Sequence, residues 1–594
     1  MSEIQLEWLD WSVMGLYAVL LLGLGFYFRS FAQQGLENYF LGGRDVSGFM
    51  SGVSYSATTL NADVAPAYCG MTVITGVFVY WWYISRFSLA LMIGGILFAV
   101  FWRRLNIFTS PEFYGFRFHG RYAEIMRSWV AIRSAFIAVV AWSGAGLLGI
   151  YKVTEPLFGW DKLDVIILVV PIILIYVSMA GFKGVIVSDF IQSIIIIFSS
   201  LVLAGAVMID FGGPMGLYDA LYSTFGESVV QWHPPRSHEL LGAFGVLVWA
   251  IGTSVGYGGD VAPMAGAMEG QRILSCKNAR EASKMYIWTQ IVLFLMLTLL
   301  VLPALGAMVK WPGLHTGEIN KELAYGMLLM EYLPTGLLGL AVIAMMSSIM
   351  STISSNMNFG SQVFIHDIYR EHINENQSED HYMRVGKVAM AAIVGMAILV
   401  AIAFENVIDI AVFMLGLAST ELTANWAQWW WWRFNGKARL AASFGGPLIF
   451  LFNRFIVFEY WIHLEDETYI IILSSIALTC ILWILVALNT KPDPDDVLVK
   501  FYRRARPLGW WGTIPEKAGR PAPRSGAIRD GFRLVLTGSV AISSAVISLS
   551  MLYTAQWNIS LISLAICISA GLTFRKWYRP YIDSLLAEPG EADA

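Results

Sequence analysis

The sequence predicts an all-α polytopic membrane protein, on three observations. Hydrophobic residues fill 57% of the 594 positions and charged residues only 14%, against about 25% charged in soluble domains. Mean hydropathy is +0.61, so the bilayer, not water, is the solvent for most of the surface. Apolar runs of about 20 residues, the length that crosses a hydrocarbon core, recur along the chain, and the basic residues gather in alternate loops. This composition excludes a secreted domain, a nucleic-acid binder and a disordered scaffold. The net charge of −4 calls for no polyanionic partner.

In order, the runs lie near 9–28, 48–69, 74–102, 128–150, 164–181, 185–209, 240–266, 285–308, 324–355, 384–404, 406–432, 438–458, 468–490, 531–553 and 557–575, about fifteen spans. The N-terminus is acidic (Glu3, Glu7, Asp10) and lacks a basic leader region, so the first run is expected to be a retained span. With the N-terminus outside, the inside loops carry Arg29 and Arg44; Arg103, Arg104, Arg117 and Arg121; Lys183; Arg272, Lys277, Arg280 and Lys284; and Arg433, Lys437 and Arg439. Outside loops are acidic, as at Asp210, Asp219, Glu227 and Glu239. The segment 491–527 combines prolines with basic residues and reads as a cytoplasmic linker lying on anionic lipid.

Polar groups at membrane depth are expensive and point to function. The stretch 51–66 is rich in hydroxyls, carries Asp63 and ends on Pro66. A broken helix lining a cavity is built this way, because its freed carbonyls can hold a cation; a helix packed through small residues and kinked at Pro66 would leave the same pattern. In 341–358, Ser347, Ser351, Ser354 and Asn358 recur on one helical face beside Ser348, Thr352 and Ser355. Such a stripe glues helices together or completes an oxygen cage for a small hard cation. Both stretches in one many-span chain point to an ion-coupled transporter. Asp189, at the start of a very apolar helix, reads as a first-turn carboxylate favoured by the helix dipole or as a waypoint for a cation on its way out.

Other signals are discounted. Gly144-Ala-Gly-Leu-Leu-Gly149 fits a dinucleotide pattern but lies in an apolar span with no strand before it. The run from Trp429 to Trp432 reads as an interfacial belt. Cys69, Cys276, Cys480 and Cys567 are scattered in or near apolar runs and read as small buried hydrophobes. With no Walker, HExxH or other catalytic pattern, the chain is read as no enzyme, with no organic cofactor.

Phe40-Leu-Gly-Gly-Arg44, Thr109-Ser-Pro-Glu-Phe113 with Arg117-Phe118, Gly181 through Gln192, Gln271-Arg272, Val301-Leu-Pro303, and Ser347-Ser348 continuing to Asp367-Ile-Tyr369 follow one another along the chain. Together they resemble the sodium:solute symporter family, from about residue 10 to 435. The resemblance implies a leucine-transporter-like fold, a 5+5 inverted-repeat core with extra flanking helices. It divides the chain into an N-terminal extra helix and loop (1–47), a first repeat (48–210), an extracellular loop (211–239), a second repeat (240–432), additional spans (433–490), the linker (491–527) and a final helix pair and tail (528–594). It also implies a sodium site on the carbonyls of Ala57, Leu60 and Ala344 and the hydroxyls of Ser347 and Ser348, with Asp189 as the acid beside it on the cation-exit side. With no carboxylate among those five ligands, sodium is a better guest than a hydrated proton.

The solute motifs depart from the family's sugar pattern. Val64 stands where hexose carriers place a Gln or His, and Leu293 where they place a lysine. Their inner-gate region becomes Gly256-Tyr-Gly-Gly-Asp-Val-Ala-Pro263, a glycine-rich break suited to a second discontinuous helix. The substrate-binding candidates are Thr59, Asn61, Asp63, Tyr257 and Asp260. Asp63 and Asp260 suit hydroxyls, an ammonium group or a second cation, or else face water at a helix end; Tyr257 gates the cavity or packs. The expected protein is a multi-pass carrier of the cell membrane, plasma or inner, in contact with the lipid bilayer. Na⁺ drives import of a small polar solute, a sugar or sugar-like molecule, by alternating access. The alternatives are a proton-coupled carrier using Asp63, Asp189 or Asp260, and a transporter-like solute sensor.

Overall fold

The computed structural model describes residues 7–60, 64–235, 238, 241–262, 269–462, 468–524 and 526–587, without the side chains of 156, 157, 347, 348, 408, 409, 468 and 469. Among the described residues the regular structure is helical, with only isolated β-bridges. In chain order the bundle is built from α1 (Trp8–Ala32), the interrupted pair α2 (Gly48–Thr59) and α3 (Val64–Thr75), α4 (Val77–Leu105), α5 (Gly120–Glu155) and α6 (Lys162–Asp210). A second interrupted pair follows, α7 (Ala243–Ser254) and α8 (Glu269–Ser275), then α9 (Ala279–Lys310), α10 (Leu337–Ile373) and α11 (Glu379–Ala403). The chain continues through α12 (Val407–Ser419), α13 (Leu422–Trp430), α14 (Gly436–Ile462), α15 (Ile470–Asn489), the short α16 (Asp495–Ala505), α17 (Ala527–Tyr553) and α18 (Trp557–Leu586). Eleven of these helices are long and apolar enough to cross a membrane.

The 49 residues of α6 would reach about 74 Å as a straight rod, more than twice a hydrocarbon core. The chain instead turns back at Gly181 (φ 59°, ψ −170°). The Tyr176 hydroxyl donates to Ser188 Oγ at 2.7 Å, although twelve residues of continuous helix would separate the two by about 18 Å. Residue 181 has to be glycine: besides its positive φ, a Cβ would lie 2.9 Å from the Tyr39 carbonyl oxygen. The sequence reads two runs here, 164–181 and 185–209, and the reversal falls at the end of the first.

Small residues set the packing of α2. A Cβ on Gly52 would come within 2.6 Å of the Met285 carbonyl oxygen, and one on Gly48 within 2.3 Å of that of Glu281, so α2 and α9 touch backbone to backbone. The opening helix is tied in as well. The buried Asp10 carboxylate of α1 accepts from the backbone N–H groups of Gly336 and Gly339, both at 2.7 Å. It thereby caps the N-terminus of α10, where unsatisfied donors and the helix dipole favour a negative charge.

Three sequence expectations are corrected. The run 324–355 is not one helix: residues Ala324–Tyr332 form a short helix of their own, and α10 starts at Leu337, after Pro334 and Gly336 (φ 84°), and continues to Ile373. The tryptophan run is not simply an interfacial belt. Trp429 is 0% exposed and packs on Trp102, Phe113 and Phe501. The segment 491–527, read as a linker lying on lipid, packs into the protein. Its helix α16 buries Leu498, Phe501, Tyr502 and Ala505, and the Trp510 N–H donates to the Trp430 carbonyl at 2.6 Å.

Arg117 joins the two. Its guanidinium donates to the carbonyls of Gln428 (2.6 Å), Trp431 (3.0 Å) and Phe434 (2.8 Å) and stacks on Phe501 and Trp511. A positional reading of tryptophans and prolines cannot anticipate this cap, because it depends on which distant surface the amphipathic face of α16 meets.

Candidate functional site

The interruption between α2 and α3 begins at Leu60, whose ψ of 63° leaves the helical range. It places the end of α2 against the hydroxyl stripe of α10. The Thr352 hydroxyl donates to the Thr58 carbonyl at 3.0 Å, and the Thr58 hydroxyl lies 3.2 Å from that of Ser351 and 3.4 Å from that of Ser355. Ser348 and Ala344 follow one and two turns before Thr352 on the same α10 face. Ala57, Leu60 and Ala344 are all buried. The structure thus brings the two polar stretches together. The side chains of Ser347 and Ser348 lie outside the described residues, as do Asn61 and Asp63 altogether.

Asp189 does not cap a helix. It lies beyond the reversal in α6, 0% exposed, facing α2 and α8. Its Oδ2 accepts from the Ser54 hydroxyl and faces Arg272 Nη2 at 3.4 Å. Its Oδ1 is buried without a well-formed hydrogen bond, and the Ser351 hydroxyl also lies against this carboxylate. The Arg272 guanidinium further donates to the hydroxyls of Ser54 (3.1 Å), Thr58 (2.5 Å) and Ser355 (2.9 Å). The sequence reading placed Arg272 among loop cations. It is instead a buried cation that ties α8 to α2, α6 and α10.

Asp260 neither faces water nor stands free for a solute hydroxyl. Its carboxylate is 2.7 Å from Arg133 Nη2 and 3.5 Å from Arg439 Nη2, and it accepts from Tyr114 at 3.2 Å and from the Ala262 N–H at 3.0 Å. Glu421 completes this network, bound by Arg133, by Arg439 at 2.8 Å and by Ser443 at 2.8 Å. Two acids and two arginines balance, which offsets a desolvation cost of roughly several kcal/mol per ion. The network joins α5, the α7–α8 break, the start of α13 and α14.

Tyr257 donates to Glu269, which also accepts from Tyr55 (2.5 Å) and Tyr286 (2.9 Å). The Thr59 hydroxyl bonds back to the Tyr55 carbonyl at 2.7 Å. Val64 opens α3, and Leu293 is buried on α9. Sequence reasoning missed Glu269, Arg133, Glu421 and the buried state of Arg439. The available signal was a charge inside or beside an apolar run, which at membrane depth faces a partner rather than lipid.

Interrupted helices whose ends meet a hydroxyl-lined partner in the middle of a helical bundle define a secondary carrier. The sequence model of the sodium:solute symporter family matches residues 39–446, and the chain belongs to that family, in which sodium is the coupling ion. Among its relatives, the sodium/glucose cotransporter of Vibrio parahaemolyticus is 25% identical over 472 residues, covering 72% of this chain and 84% of that protein. Sodium/glucose cotransporter 4 of Danio rerio is 22% identical over 563 residues, 86% of this chain and 82% of that one. In structure, the chain is similar to a Na⁺-coupled sialic acid symporter in a substrate-bound outward-open state, with a TM-score of 0.68 and 18% identity over 82% of this chain and 99% of the other.

Proposed function

We propose that this protein couples sodium entry to the import of a small polar organic solute, a sugar or sugar-like molecule, by alternating access. The observation that carries the reading is the Thr352–Thr58 contact, which joins the interrupted α2 to the hydroxyl stripe of α10. Sodium sits between these helices, held by the carbonyls of Ala57, Leu60 and Ala344 and the hydroxyls of Ser347 and Ser348, and leaves past Asp189. The five ligands are oxygens without formal charge, a set suited to a small hard cation. Relatives named sodium/glucose and sodium/myo-inositol cotransporters support a polyhydroxylated solute.

Thr59, Asn61 and Asp63 recognise the solute. Asp260 serves the closed network that holds the α7–α8 break, and Tyr257 serves Glu269. The core consists of the two repeats at 48–210 and 240–432. With α6 counted as two spans and α2–α3, α7–α8 and α12–α13 as one each, the chain crosses about fifteen times, and its N-terminus is outside. Binding is reciprocal: solute raises sodium affinity by the factor by which sodium raises solute affinity.

The test is thermal stabilisation of the purified protein by a solute library, in sodium and in potassium, with Ser347→Ala/Ser348→Ala alongside. One solute class should stabilise only in sodium, and the double variant should lose the effect. Equal stabilisation in potassium, or an unchanged double variant, overturns the sodium site.

A further inference from the structure

Glu269, the first residue of α8, is 2% exposed and differs from the other buried acids of the core. Asp189 faces Arg272, and Asp260 and Glu421 share Arg133 and Arg439. Glu269 pairs with no cation among the described residues. Its Oε1 accepts from Tyr55 and Tyr257, its Oε2 from Tyr286. Three neutral hydroxyls steady a carboxylate but do not cancel its charge, and an uncancelled charge at membrane depth is costly.

The neighbouring charged groups are already engaged. Arg272, one turn further along α8, reaches Asp189, Ser54, Thr58 and Ser355, and its guanidinium stands 5.7 Å over the Tyr55 ring. Asp260, across the break, is held by two arginines. Arg103 of α4 donates to the Cys276 carbonyl at 2.5 Å, Arg44 pairs with Glu37 at 3.0 Å, and Lys284 of α9 pairs with Glu281 at 2.8 Å.

Among the described residues the carboxylate's partners are all hydroxyl donors: Tyr55 and Tyr257 on Oε1, Tyr286 on Oε2. A proton is the smallest cation that can cancel the charge beside them. We propose that Glu269 is a proton-binding site, loaded and unloaded as α8 moves against α2 and α9. The proton comes from water and settles on one carboxylate oxygen; no other covalent bond changes. The three phenols occupy three of the carboxylate's roughly four acceptor positions, so the proton has a place on Oε2 beside the Tyr286 bond. Neutralising the carboxylate takes the charge assistance from all three bonds. Since Tyr55 is on α2, Tyr286 on α9 and Tyr257 in the break, proton occupancy changes how strongly α8 is tied to the helices around it. Its test needs neither sodium nor a solute.

The test is infrared difference spectroscopy of the full chain in lipid vesicles, in potassium, from about pH 5 to about pH 9. A carboxylic-acid C=O band should grow as the pH falls, and Glu269→Gln should lack that component. Tyr286→Phe removes one donor to the charged form, so the band's midpoint should move up by about one pH unit. A Glu269→Gln titration that superimposes on the parent overturns the proposal. Should that variant fail to fold, an unmoved midpoint in Tyr286→Phe overturns it equally.

Discussion

The Thr352 hydroxyl donates to the backbone carbonyl of Thr58 at 3.0 Å, across 294 residues of sequence. A helix about to be interrupted has carbonyls without their usual N–H partners, and here a hydroxyl from α10 meets one of them. The contact sets the register between the carbonyls at the end of α2 and the serines one turn back along α10.

Thr352→Val keeps the shape and removes the donor. It should cost about 1–3 kcal/mol of stability and weaken the stabilisation produced by sodium. Melting curves in sodium and in potassium check this; an unchanged sodium response would detach the contact from the ion site.

Asp10 caps α10 from a different helix. Asp10→Ala leaves the Gly336 and Gly339 N–H groups without their acceptor and should cost about 0.5–2 kcal/mol. Asp10→Asn, which keeps an acceptor oxygen, should recover most of that. Melting temperatures of the two variants in one detergent decide it.

Breaking one side of the Asp260–Arg133–Glu421–Arg439 network should be severe. Arg439→Met leaves Glu421 short of a partner at the price of about 3–5 kcal/mol. Adding Glu421→Gln restores charge balance, so the pair should lose less than the sum of the single changes. A double-mutant cycle read by thermal unfolding measures this, and strict additivity would mean the two residues do not act together.

Glu112 lies just after α4, outside the spanning segments. Its Oε1 accepts from the N–H groups of Phe108 and Thr109 at 3.0 and 3.1 Å and meets His366 Nε2 at 2.7 Å. Burial opposes its ionisation, but His366 and the Thr109 N–H outweigh burial and hold the carboxyl below its ordinary value. A carboxyl depressed by folding contributes stability above its unfolded value, about 4.3, and loses it as pH falls through the lower folded value. The melting temperature should therefore drop below about pH 4.3, and the drop should be shallower in Glu112→Gln. Parallel curves for the two proteins would rule the group out.

Hydropathy and helical periodicity are local, so the spans near 9–28, 164–181, 185–209 and 557–575 were legible as written, and so were the polar break at 51–66 and the hydroxyl face of 341–358. Where neighbouring apolar segments run together, as in 324–355, the same measure joins a short helix to a long one, because the turn at Pro334–Gly336 interrupts the chain without making it polar.

By itself, then, the sequence determined the solvent, the order of the helices, and the two polar stretches that meet at the end of α2. Tertiary structure decided which charges meet. Arg133 finds Asp260 across 127 residues, Arg117 finds the carbonyls of 428–434, and Glu269 finds three tyrosines from three elements. The physical reason is that a charge in an apolar run demands a partner, but the demand does not name one. Chain topology chooses it, and it is that choice which makes Arg272 and Arg439 buried cations of the core instead of markers of a loop.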